Sequence, residues 1–429
     1  MADNRGIGLI GTMAIGIGGM VGGGIFAVLG VVAQAAGGGA PVSFAVAGVV
    51  AFLTAVSYAH LSVTHPSRGG TVVFVDRVFG IGALTGALNN LLWFSYLVTL
   101  ALYATAFGNY AATFFYGDSA PPGWAFRLLV SLAILIPTGL NLLSASTVAR
   151  TETTIVGLKL AMLALVGTVG FGSVSGARLD PGNWPSLGSV AGAGMLVFVA
   201  YEGFELIANS AEDVRRPKWT LPRAFYLSVV VVLVLYVVIA IITVGSLSPA
   251  QIAKSADFAL AEAARPTLGQ TGFLIVAGSA VLATLSAINA TIYGAARLSY
   301  SIASEGELPE VLEKKVWSEP AGLILTSGAA LVLANTLDLT SISAMASAGF
   351  LIVFGAVNAA AWREARSASR RWIAAGGVVG CGAALVVLLV DAVRRRPLSV
   401  VVLVAVVVLA VVGELWWLRG KRSISLPHH

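Results

Sequence analysis

Six glycines fall within nine residues, Gly16-Ile17-Gly18-Gly19-Met20-Val21-Gly22-Gly23-Gly24, inside an apolar segment, residues 7–35, that is otherwise long enough to cross a bilayer. Each glycine in a helix interior costs about 1 kcal/mol relative to alanine, so the run predicts a helix that breaks at membrane depth. Backbone left unpaired there is tolerated only against protein, a cavity or a ligand. A break also creates a new helix N-terminus whose free N–H groups attract an anion such as a carboxylate. The competing reading is close helix packing through small residues, which Gly18 and Gly22 would satisfy. Glycines on every side of the segment argue for the break, since packing needs only one small face.

Composition identifies the solvent in which such a break would occur. Of 429 residues, 57% are hydrophobic and 11% charged, and apolar runs of about 18 residues or more recur along the whole chain. The chain reads as an all-α polytopic membrane protein. Windows of about 20 apolar residues bounded by charge or by Pro and Gly clusters give twelve transmembrane spans: 7–35, 41–63, 82–115, 127–144, 150–173, 190–210, 222–247, 271–302, 320–336, 341–362, 372–391 and 398–418. With the N-terminus inside, 18 of the 26 Lys and Arg residues fall on cytoplasmic segments, seven fall outside, and one, Lys159, lies within a span. That asymmetry predicts both termini in the cytoplasm, with Arg394-Arg395-Arg396 as a cluster against the rule. The net charge of +6 is then a matter of topology, and no nucleic-acid partner is expected. The first span starts within a few residues of Met1 without a small-residue cleavage pattern, so it is expected to serve as its own uncleaved insertion signal. A single cysteine, Cys381, excludes an intrachain disulfide and reads as a small packing residue.

The sixth span is interrupted as well. Met195-Leu196-Val197-Phe198-Val199-Ala200-Tyr201-Glu202-Gly203-Phe204-Glu205 places two carboxylates around a glycine in an apolar run. Glutamate near a bilayer centre costs a few kcal/mol unless it lines a cavity or has partners, so this span is also expected to break. Spans 1 and 6 hold the same place in two units of five. Five is odd, so the units would sit in opposite orientations, the 5+5 inverted repeat of secondary transporters with the ligand between two discontinuous helices. The division that follows is 1–176 for the first repeat, 177–366 for the second, and 367–429 for the last two spans and a tail. Enzyme readings find no support. Gly16-Ile17-Gly18 has no preceding strand or βαβ unit, there is no Gly-Lys-Ser/Thr phosphate loop, and no His or Cys spacing suits a metal. No cofactor is expected.

Motifs spread along the chain carry a resemblance. They are Gly18-x-x-x-Gly22-Gly23-Gly24-Ile25-Phe26; Pro66-Ser67-Arg68-Gly69-Gly70 with Gly80; Asn141-Leu142-Leu143; Gly203-Phe204-Glu205 through Ala211-Glu212-Asp213, Pro217 and Leu221-Pro222-Arg223-Ala224; and Asn289-Ala290-Thr291-Ile292-Tyr293-Gly294 through Gly306-Glu307-Leu308-Pro309. In this order and spacing the chain resembles the amino acid–polyamine–organocation permeases, and among them archaeal proton-coupled permeases of broad amino acid specificity. Those share Lys315-Val316-Trp317 and carry a lysine where Lys159 stands. The resemblance implies the LeuT-type fold, with the substrate carboxylate on the amides of Gly22, Gly23 and Gly24. It implies that the amino group meets the carbonyls of Met20, Val199 and Glu202, beside Gly203, and that Phe198 and Tyr201 pack or gate. In sodium-coupled relatives a cation bridges spans 1 and 8. Here the resemblance puts the Lys159 amine in that place, with Ser286 and the carbonyls near Gly19 as partners. Glu205 matches a family glutamate that either relays protons or ties span 6 to its neighbours.

Lys159 also stands out from the residues alone. It lies nearly two turns past the charged entry of span 5 with apolar neighbours on both sides. Its stem either snorkels to the interface or stays buried, which disfavours the charged ammonium and suits proton exchange. Glu202 either selects cationic substrates or turns into a polar pocket. The expected function is secondary active uptake of amino acids by alternating access, proton-coupled and sodium-independent, in the cell membrane. Its partners are the amino acid, protons and the lipid bilayer. Exchange or facilitated movement of amino acids or polyamines is the alternative, and a non-transporting amino acid sensor is the reading from another class. Paired helix breaks favour transport, because a sensor needs no alternating access.

Overall fold

Gly22 separates two helices. In the computed structural model, which describes residues 6–143, 148–304, 315–316 and 319–395 with isolated positions from 400 to 412, span 1 is α1 (Leu9–Met20) followed by α2 (Gly23–Ala36). Val21 (φ −79°, ψ 50°) and Gly22 (φ −97°, ψ −139°) leave helical space between them. The chain continues as α3 (Ala40–Thr64), α4 (Thr71–Phe79), α5 (Ala83–Tyr116), α6 (Gly123–Leu143), α7 (Val148–Val169), the short α8 (Gly176–Leu179) and α9 (Leu187–Leu196). Residues Val197–Glu205 wind as a 3-10 helix, followed by α10 (Leu206–Asn209), α11 (Pro217–Ser246), α12 (Pro249–Ser255) and α13 (Ala259–Ser304). Helix α13 is interrupted at Gly269, where φ is 63°, a left-handed value that glycine adopts without penalty. An antiparallel ribbon of β1 (Lys315–Val316) and β2 (Glu319–Pro320) precedes α14 (Ala321–Thr336), α15 (Leu339–Glu364) and α16 (Ala368–Arg395).

Among the described residues nine helical stretches are long and apolar enough to cross a membrane, α2 and α3 counting as one, and α1 and Gly322–Thr336 are shorter apolar helices. The protein is a polytopic helical membrane protein. The first eleven spans read from the sequence all fall on these helices. The twelfth lies largely outside the described residues, as do Gly306–Pro309 and Trp317. Val230 and Val234 on α11 and Val379 and Val386 on α16 are exposed, which suits lipid tails as apolar as the side chains themselves. The enclosed centre is built from span 6 and α5, whose most apolar windows are 89% and 83% buried.

The interruption of span 6 takes a form the sequence did not specify, and one expectation changes. Span 6 does not unwind as span 1 does; it tightens from α to 3-10 winding, with no extended residues between α9 and α10. The tightening is held from outside. Ser343 and Ser347 of α15 donate to the Leu196 carbonyl at 2.8 and 3.0 Å, and Ser347 Oγ accepts from the Val199 amide at 3.0 Å. These bonds satisfy backbone groups at the point where the hydrogen-bond step shortens. The β1–β2 ribbon is the exception to an all-α chain.

Candidate functional site

Backbone meets backbone where the two interrupted spans cross. A Cβ on Gly19 would lie 2.7 Å from the Gly203 carbonyl oxygen, and one on Gly24 would lie 2.9 Å from the Ala200 Cα. A Cβ on Gly18 would come within 2.9 Å of a Val156 methyl on α7, and one on Gly23 would overlap the Tyr103 ring of α5. The glycines thus answer both sequence readings: these four permit close packing, while Val21 and Gly22 form the break. Gly203, expected beside the substrate, is in backbone contact with Gly19. Gly22 faces α13, where its Cβ would lie 3.0 Å from that of Ala287, next to the buried Ser286.

No side chain caps α2 at Gly22. The amides of Gly22, Gly23 and Gly24 therefore form the open end of the α2 hydrogen-bond ladder, where the helix dipole gathers about half a positive charge. The carbonyls on the other side of the break are engaged. The Tyr236 hydroxyl of α11 donates to the Met20 carbonyl at 2.6 Å and reaches the Ala200 carbonyl at 3.2 Å. Tyr201 donates to the Phe44 carbonyl of α3 at 2.9 Å. Phe198 is buried edge-on against Phe354 at 5.9 Å, in a cluster with Phe204 and Phe350.

The ionisable residues divide by their partners. Lys159 is 2% exposed and does not snorkel; its Nζ donates to the Gly18 carbonyl at 2.9 Å. Glu205 accepts from Tyr96 on Oε1, and from Tyr58 at 3.2 Å and Thr71 at 3.4 Å on Oε2, so it ties the 3-10 segment to α5, α3 and α4. Glu202, also buried, accepts from Tyr103 at 3.2 Å on Oε1. Sequence reasoning passed over Tyr236, Tyr103, Ser343 and Ser347, which read as core in long apolar runs. The signal that could have found them is that a buried hydroxyl needs a partner.

Comparison with known proteins supplies the family in which this arrangement occurs here. A family profile described as "Amino acid permease" matches residues 7–413. The chain belongs to the amino acid permease family. The permease is 36% identical over 356 residues to the inner membrane transport protein YbaT of Escherichia coli (strain K12), with 82% of each chain covered. It is 35% identical over 349 residues to an uncharacterized protein of Methanocaldococcus jannaschii, covering 80% of the permease and 78% of that chain. Against the large neutral amino acids transporter small subunit 2 of Mus musculus it is 30% identical over 327 residues, 73% of the permease and 60% of that protein. The permease is a transport protein of the membrane and not an enzyme.

Proposed function

We infer that the permease takes up amino acids across the cell membrane by alternating access, driven by protons and independent of sodium. The observation that carries this reading is a juxtaposition in span 1: α2 opens with uncapped amides at Gly22–Gly24, and the Gly18 carbonyl one turn earlier holds the Lys159 amine at 2.9 Å. A substrate carboxylate suits the amides. Its amino group, having only donors to offer, suits the carbonyls of Met20, Val199 and Glu202 once Tyr236 releases the first. Tyr201 and Gly203 flank this place and Phe198 gates it. The Lys159 amine supplies a single positive charge where a bound cation would otherwise bridge to α13 near Ser286, and an amine, unlike a metal ion, can give up its proton. Twelve spans in a LeuT-type 5+5 repeat, residues 1–176 and 177–366 with 367–429 appended, and both termini in the cytoplasm complete the reading. The name of the mouse relative supports large neutral amino acids as the first substrates to try.

Labelled leucine in proteoliposomes is the probe. Uptake should be indifferent to sodium and rise as external pH falls. Lys159→Ala should cut proton-driven accumulation, and so should Lys159→Arg, because a guanidinium keeps its proton at any working pH. Accumulation left intact in Lys159→Ala, or sodium-stimulated uptake by the wild type, would remove the mechanism.

A further inference from the structure

Glu202 holds a carboxylate oxygen that the folded chain leaves without a partner. The residue is 4% exposed, Tyr103 serves Oε1 at 3.2 Å, and Oε2 has no hydrogen bond. Thr99 Oγ1, one turn before Tyr103 on the same face of α5, is buried beside the Glu202 carboxylate, close enough to interact with it but outside hydrogen-bonding geometry. Glu205, three residues on, is met by three hydroxyls. Among the described residues no Lys, Arg or His forms an ion pair with either glutamate. The titratable side chains that face Glu202 are Glu205 on its own segment and Tyr96 and Tyr103 on α5, with Tyr236 of α11 beside Tyr103 and Tyr58 of α3 beside Glu205. None of these is a cation, and Lys159 is engaged at the Gly18 carbonyl.

A carboxylate in this setting is expensive as an anion, since one hydroxyl is a poor replacement for water and no opposite charge repays the desolvation. As the neutral acid it pays only for a buried polar group, and its own O–H supplies the donor that the surroundings lack. The occupant that fits is small. With Glu202 4% exposed, a proton, which adds no heavy atom, binds without moving the chain, whereas a substrate ammonium would have to open it. Tyr103 also links the two sites, with its ring against Gly23 and its hydroxyl on Glu202.

We propose that Glu202 is a proton-carrying site of the transport cycle, loaded while its side chain is buried as here and unloaded when the break between α1 and α2 opens to water. The proposal rests on the transporter reading above but not on Lys159. Water on one side supplies the proton and an O–H bond forms on the carboxylate; on the other side that bond breaks and the proton returns to water. With Lys159 as the other group, two protons accompany each amino acid.

The test is accumulation of labelled leucine in proteoliposomes with the membrane potential clamped at zero and a gradient of about one pH unit. Glu202→Gln should lower the steady accumulation ratio about tenfold, one proton's worth per pH unit. Exchange of labelled for unlabelled leucine at equal pH should lose the part of its pH dependence that Glu202 contributes, since an amide does not titrate, and keep only that of Lys159. A wild-type accumulation ratio and pH profile in Glu202→Gln would overturn the proposal. So would a folded Glu202→Gln that neither accumulates nor exchanges, which would place the side chain in substrate binding. Where Glu202→Gln does not fold, Tyr103→Phe decides. Loss of the donor on Oε1 makes the anion harder to form, so the pH midpoint of uptake should move upward, and an unmoved midpoint refutes the assignment. Absence of exchange in the wild type would remove the transporter reading itself.

Discussion

Tyr236 holds the carbonyl that the break in span 1 sets free, and its hydroxyl can be removed without disturbing its ring. The ring packs edge-on against Phe44 at 5.8 Å and Tyr201 at 5.1 Å, contacts that phenylalanine would keep. Tyr236→Phe leaves the Met20 carbonyl buried without its 2.6 Å donor. An unsatisfied buried group costs about 1–3 kcal/mol, more than the net gain from an ordinary hydrogen bond. The variant should therefore unfold at a lower temperature in detergent than the wild type, and equal midpoints would show that the carbonyl does not depend on Tyr236. This residue was not legible in the sequence. A tyrosine in a 30-residue apolar helix looks like any other core aromatic until its hydroxyl is placed. Lys159 was legible, because an ammonium in an apolar run is costly wherever its partner lies.

The two interrupted helices contrast in the same way at the scale of elements. Glycine's helical cost is local, so the break at Val21–Gly22 could be read from span 1 alone. The 3-10 winding of span 6 depends on Ser343 and Ser347, which come from α15 and meet Leu196 and Val199 across separations of 147 to 151 residues. Nothing near Glu202 announces them, so the interruption of the α-helix was legible there but its 3-10 form was not. Ser347→Ala removes the acceptor of the Val199 amide and one of the two donors on the Leu196 carbonyl. Losing the partner of a buried N–H at about 1–3 kcal/mol should speed hydrogen exchange at Val199 by about tenfold or more, if local opening governs exchange there. Peptides from α1 and α2 serve as the internal control in mass spectrometry. Unchanged exchange at Val199 would show that the 3-10 segment holds its pitch without α15.

At the scale of the whole molecule the ends of span 1 are dissimilar. Where α1 begins, the chain is tied to the segment after α10: the Ile7 amide donates to the Asp213 carbonyl at 2.8 Å and the Arg215 amide to the Ile7 carbonyl at 2.9 Å. Arg68 reaches Asp213 at 2.9 Å in the same place. Both side chains are well exposed there, so solvent screens the pair and the backbone bridge is the firmer tie. Where α2 ends, Gln34, Ser189, Ala193, Leu196 and Asp391 line a cavity of about 210 Å³ between α2, α9 and α16. Alternating access requires that these two mouths never open together, and the chain is well suited to testing it, because Cys381 is its single cysteine and is 1% exposed. On a Cys381→Ala background, Ser189→Cys reports the α2 mouth and Gly8→Cys the α1 mouth to a membrane-impermeant maleimide in detergent. Leucine should change the two labelling rates in opposite directions, since any rearrangement that widens one mouth closes the other. Rates that rise together would mean a continuous pore, and rates that leucine leaves unmoved would mean that binding and access are not coupled; either result is incompatible with transport by alternating access.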